Sequence, residues 1–145
     1  MALASAGYSG APLPAKLGLK DGIDVAFIAL PRELDDLAAC RSFASSKRLE
    51  SWDALAGQSL AFDVIHGFTH RRAELEDALP DAQDAIRRDG MIWVSWPKKA
   101  SKVPTDVTED TVRNAALQLD LVDVKVAAID HVWSGLKLVI RKDRR

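Results

Sequence analysis

The chain has 145 residues, 48% of them hydrophobic and 28% charged, with a net charge of -1. That is the size of one ordinary domain with material for a substantial core, and the composition is neither disordered nor membranous. No apolar run approaches the roughly 20 residues of a membrane helix, and the near-neutral charge gives no global field to attract nucleic acid or an anionic membrane. The opening residues lack a basic region followed by an apolar one, so the expected location is the cytoplasm. Cys40 is the single cysteine, which excludes an internal disulfide and the usual thiolate zinc frameworks. It reads as a small apolar residue inside a helix.

Residues 1–22 carry Gly7, Gly10, Pro12, Pro14, Gly18 and Gly22. They read as an irregular strap with one helical turn near Leu13 to Leu17, leading into a single domain over 23–145. Ile23 to Leu30 is apolar except for Asp24 and is bounded by Gly22 and Pro31, which suits a central strand buried on both faces. Pro31 ends it and opens a helix with Leu34, Leu37 and Ala38 on one face. Ser42 to Ser46 is a polar break, and Arg48 to Leu55, which holds Trp52, reads as a short edge strand.

Ala61 to Phe68 is a firmer strand. From His70 to Arg88, Leu75, Leu79, Ala82 and Ile86 form a helical stripe. Pro80 lacks an N–H, so the spacing predicts two short helices meeting at Leu79 and Pro80, with Asp89-Gly90 as the stop. Met91 to Trp96 is a strand in which Trp93 and Trp96 face opposite sides. After a polar loop, Asp106 and Glu109 have the spacing of a capping box for a helix with Val112, Ala115, Ala116 and Leu119 on its apolar face. Leu121 to Ile129 and Leu136 to Arg141 are two strands whose link, residues 130–135, is short enough for a hairpin only. Trp133 lies in that link, either folded over the sheet or exposed to a partner.

This order predicts an α/β fold: one Rossmann-like, three-layer domain whose mostly parallel sheet of about six strands ends in an antiparallel hairpin. From Phe62 onward, strand, helix, "DG" turn, strand, helix and hairpin resemble the C-terminal half of the class I S-adenosylmethionine-dependent methyltransferase fold. LGLKDGIDVAFIAL, residues 17–30, is similar to that family's opening motif. The resemblance implies a glycine-rich turn after the first strand, and here Ala29, Leu30, Pro31, Arg32 and Glu33 stand instead. A corner of Leu30, Pro31 and Arg32 is expected to fill the space an adenosyl group needs. Asp53 is the one candidate for an acid at the end of the second strand. GYSGAPLPAKLG, DVIHGFTHRRAELEDALP and DGMIWVSWPKKASKVPTDVTEDTVR resemble a small bacterial family known only as a domain of unknown function, which implies a bacterial source and no chemistry.

Ligands of open α/β sheets bind beyond the carboxyl ends of the strands. That edge collects Arg32, His70, Arg71, Arg72, Lys98, Lys99 and Lys102, an excess of positive charge that suits a small anionic ligand, with Trp96 as a pocket wall. The competing reading is solvated loop charge offset by Glu33, Asp53, Asp106 and Asp110. His66 and His70 have H-x-x-x-H spacing but lie at a strand without a third ligand, so no metal is expected, and His66 should satisfy a hydrogen bond at the sheet surface. Gly7-Tyr8-Ser9-Gly10 is not the G-x-S-x-G elbow of a hydrolase. The leading expectation is a non-catalytic regulatory or interaction domain without a cofactor. The alternative is an enzyme of the same fold, a methyltransferase or another nucleotide-ligand enzyme, with an altered cofactor turn. A third is an obligate subunit docking near Trp133. Little interleaving of basic and aromatic residues argues against nucleic acid.

Overall fold

In the computed structural model, which describes residues 12–145, a six-stranded sheet has the order β2-β1-β3-β4-β6-β5. The strands are β1 (Asp24–Ile28), β2 (Ser45–Leu49), β3 (Phe62–Phe68), β4 (Ile86–Pro97), β5 (Leu121–Ala128) and β6 (Trp133–Ile140). The first four in that order run parallel, and β6 lies antiparallel to both β4 and β5, as the closing hairpin requires. Among the described residues, no helix is long and apolar enough to cross a membrane.

Apolar residues on alternate sides of the strands build a core on each face of the sheet. Ala26, Ile28, Ile65, Ile92, Val94 and Trp96 point toward α2 (Arg72–Ala85) and α3 (Glu109–Leu117). Val25, Phe27, Val64, Phe68 and Trp93 point the other way, toward α1 (Leu13–Lys16) and a 3-10 segment at Arg32–Ala39. Trp93 and Trp96 therefore serve opposite layers, as their spacing dictates. Leu13, Leu17 and Leu19 belong to the second core, so the part of the strap from residue 12 onward is packed against the sheet; residues 1–11 lie outside the described residues.

Several elements differ from the sequence reading, each for a tertiary reason. The edge strand is Ser45–Leu49, and Trp52–Leu55 forms a 3-10 turn that buries Trp52. The polar Ser-Ser-Lys-Arg run tolerates the exposed edge, whereas Trp52 does not. Ser45 fixes the pairing by donating its hydroxyl to Asp24 at 2.7 Å. That bond, and then Arg87, hold the Asp24 carboxyl below the usual carboxylate range.

α2 runs unbroken through Pro80. Leu75, Leu79 and Ala82 are all fully buried by one continuous helix, while Pro80 is on the exposed side, where water can serve the carbonyl left without an N–H. β4 starts at Ile86, so Asp89-Gly90 lies inside a strand instead of stopping a helix. Arg87 at its start bridges Asp24 and Asp63 at 2.9 Å each, and a β-carbon on Gly90 would stand 2.7 Å from the Asp63 carbonyl.

The cap of α3 is Thr108 with Thr111, which exchange side-chain and backbone bonds. Asp106 is drawn away to a different helix, as described below. Trp133 is the first residue of β6, and the hairpin turn ahead of it is held by Asp130, whose carboxylate accepts the N–H groups of Val132 and Trp133. The segment after Pro31 makes 3-10 turns, with Leu34 outside helical geometry, and Cys40 caps its end half-buried. Burial pushes the Cys40 thiol up, away from reactivity.

Candidate functional site

From β1 the chain crosses to β2 on one side, and from β3 to β4 on the other, so the strand order reverses between β1 and β3. In doubly wound sheets a crevice opens at the carboxyl ends of such a strand pair. Here it measures about 530 Å³, with Ala29 and Pro31 after β1 on one side, Phe68, His70 and Arg71 after β3 on the other, and Trp133 and Glu74 closing it.

The turn after β1 has no glycine, yet Ala29 adopts the conformation glycine favours, with φ of 55°. Its N–H donates to the Leu49 carbonyl at 2.8 Å, which holds the turn against the end of β2. A left-handed alanine costs roughly 1 kcal/mol, and such strain is characteristic of functional turns. A second hollow of about 450 Å³ lies on the β2 side, lined by Ala29, Leu30, Leu49 and Glu50. The expectation that Leu30, Pro31 and Arg32 fill this space is therefore corrected: two openings of ligand size flank the corner.

The aromatic wall is ordered by edge contacts. Trp133 stands edge-on to Phe68 at 5.1 Å and to His70 at 5.2 Å between ring centroids. Beneath Phe68 lies His66, stacked on it at 4.4 Å and fully buried. Its Nε2 shares a 2.7 Å hydrogen bond with the Ser95 hydroxyl, while Nδ1 has no partner. Burial alone holds the imidazole pKa down, at about 3, so His66 is neutral. The sequence reading of a satisfied histidine at the sheet surface is corrected to one satisfied at a single nitrogen in the core. His66 and His70 are thus divided between interior and surface, and among the described residues no three side chains of metal-ligating type are gathered.

Of the residues singled out from sequence, His70 and Arg71 line the crevice. Arg71 is largely exposed, and its guanidinium lies 3.5 Å from Glu74. Arg72 turns to the groove between α2 and α3, where it pairs with Glu76 at 2.7 Å. Lys98 gives its backbone N–H to the Val132 carbonyl, and Lys99 and Lys102 stand exposed on the turn that follows. Trp96 is buried in the core beneath α2 and α3, away from the crevice. Sequence reasoning missed Ala29, Phe68, Glu74 and Trp133 as neighbours. It also named Asp53 for the end of the second strand, whereas Glu50 follows β2 directly. Only the strand order, which reveals the reversal between β1 and β3, could have gathered them.

A six-stranded, mostly parallel sheet with a reversed closing hairpin and a crevice at its switch point defines a methyltransferase-like α/β protein, and comparison with solved structures agrees. A SAM-dependent methyltransferase from Aquifex aeolicus superposes with a TM-score of 0.67 at 12% identity over 88% of this chain and 87% of that one. Magnesium protoporphyrin IX methyltransferase from Synechocystis, with bound SAM, gives 0.61 at 12% identity over 89% and 74%. A protein from Pyrococcus horikoshii gives 0.59 at 9% identity over 89% and 86%. At these identities the likeness is one of fold. No curated protein matches the sequence. Residues 58–142 match the family described as "Protein of unknown function (DUF3052)", and the chain belongs to that family.

Proposed function

We propose that this protein is a binding domain on a methyltransferase-like frame, performing no chemistry of its own, and that a small ligand enters the switch-point crevice with an anionic group toward His70 and Arg71. The observation that supports this is the meeting, where the strand order reverses between β1 and β3, of an aromatic wall (Phe68, Trp133) with two basic side chains brought by the β3–α2 turn. A planar or apolar portion of the ligand would lie along the wall, and its charged end beside the His70 and Arg71 side chains, since the first N–H of α2 is already taken by Asp106. Glu74, the carboxylate at the crevice, is engaged by the Thr69 hydroxyl at 2.7 Å and by Arg71, which leaves it poorly placed to move protons.

Isothermal calorimetry with adenosine monophosphate and with inorganic phosphate tests the reading. Binding of either anion, weakened at least about tenfold by Arg71→Ala and His70→Ala, is the expected outcome; a charge-assisted contact is worth roughly that much. Binding unchanged by both substitutions, or no binding of either anion, would refute it.

A second reading, a methyltransferase that holds its cofactor in an altered way, is favoured by one specific feature. Glu50 follows β2 directly and faces the hollow on the other side of Ala29, where a carboxylate in such folds accepts ribose hydroxyls. Ala29, Leu30 and Glu50 would then hold the adenosyl group, which would supply the methyl. Tight binding of S-adenosylmethionine and its demethylated product, lost in Glu50→Ala, would select this reading over the first.

A further inference from the structure

The turn between β3 and α2 carries His70 and Arg71 into the crevice. Thr69 accepts the Arg71 N–H at 3.2 Å and donates to Glu74. Arg71 occupies the N-cap position of α2 without a capping bond from its own side chain. The Thr69 N–H donates to the Ser95 carbonyl at 3.0 Å and the Leu75 N–H to the Arg71 carbonyl at 3.2 Å, and further grip comes from residues some 35 positions away. The Thr105 hydroxyl donates to the His70 carbonyl at 2.7 Å, and the Asp106 N–H donates to the same oxygen at 3.3 Å. The Asp106 carboxylate accepts the Arg72 N–H at 2.7 Å.

We infer that Thr105 and Asp106 are the positioning residues of the crevice, aiming His70 and Arg71 by clamping the backbone on both sides of Arg71; the inference rests on the reading of the crevice as the binding site. The physical reason lies in which groups are held. The His70 carbonyl belongs to the peptide plane before Arg71, and the Arg72 N–H to the plane after it. Fixing both planes fixes the two soft dihedrals between them, observed at φ of -124° and ψ of 126°. Asp106 also does the work of the missing N-cap, since a carboxylate there satisfies a helix N–H and complements the dipole. With the turn fixed, the His70 ring meets Trp133 edge-on. The clamp sits at the end of the Lys98–Asp106 loop. The loop's first residue is bonded to Val132, beside Trp133, so one loop is tied to both walls of the site.

The test needs no ligand, so its failure is separable from failure of the binding reading. The chain has three histidines, whose imidazole resonances are assigned by His70→Gln and His131→Gln. In the parent protein the His70 ring protons should be displaced by the Trp133 ring current. In Thr105→Val/Asp106→Ala they should move to the position of a free histidine, while those of His66 and His131 stay. Exchange of the Arg72 amide should quicken by roughly tenfold, as expected for the loss of one charge-assisted hydrogen bond. The conservative Thr105→Ser should retain the parent His70 signal. A folded double variant whose His70 resonance is unmoved overturns the inference. Should the double variant fail to fold, Asp106→Ala alone is read in the same way: a displaced His70 signal supports the inference and an unmoved one overturns it.

Discussion

Trp52 lies flat against Gly67: a β-carbon on the glycine would stand 2.3 Å from the indole ring, and the indole N–H donates to the next carbonyl, that of Phe68, at 3.0 Å. The 3-10 turn after β2 is thereby nailed to the carboxyl end of β3. Gly67→Ala should cost about 3 kcal/mol, the sum of overpacking a rigid buried ring and straining its hydrogen bond. Urea denaturation measures it, and a double variant with Trp52→Leu should recover part of the loss because the clash is shared. A Gly67→Ala protein of parent stability would show that the indole yields freely.

Ala29 bears strain that glycine would not. Relief of the left-handed conformation is worth roughly 1 kcal/mol or somewhat more, against a little under 1 kcal/mol of added freedom in the unfolded chain. Ala29→Gly should therefore raise stability by about 0.5 kcal/mol, seen as a higher urea midpoint at unchanged slope. A lower midpoint would mean that the methyl group makes contacts worth more than the strain it causes.

His66 makes the fold sensitive to acid. Its folded pKa of about 3 lies below the 6.5 of an ordinary histidine, so between these values the unfolded chain binds a proton that the folded chain does not. The stability it supports is complete above about pH 6.5 and declines as pH falls toward 3, by up to roughly 1.4 kcal/mol per pH unit. His66→Gln should flatten that part of the stability profile in equilibrium unfolding at several pH values. An equal slope in parent and variant would assign the acid sensitivity elsewhere.

Pro80 interrupts the hydrogen bonds of α2 without bending the chain out of the helix. Pro80→Ala restores an N–H on the exposed side and should stabilise by about 1 kcal/mol, after allowing for the greater freedom of the unfolded alanine chain. Thermal unfolding, with a rise of several degrees expected, checks it. A fall would mean that the proline ring packs usefully in the groove between α2 and α3, which it lines.

β1, β3, the core of β4, α3 and the closing hairpin were legible in the residues themselves, because each announces itself through the local period of its apolar side chains. The α/β class followed from their order, as did the opposed faces of Trp93 and Trp96. What eluded the sequence shares one physical feature: it depends on partners distant along the chain. Trp52 left the edge strand for a berth that Gly67 provides, α2 passed through Pro80 because three buried residues held it straight, and Asp106 capped the helix of Arg72 in preference to its own. The crevice is of this kind too, since Ala29, His70 and Trp133 become neighbours only where the strand order reverses. Periodicity fixes which face of an element is buried, but the energies that choose between neighbouring registers, caps and turns come from contacts that exist only once the sheet has closed.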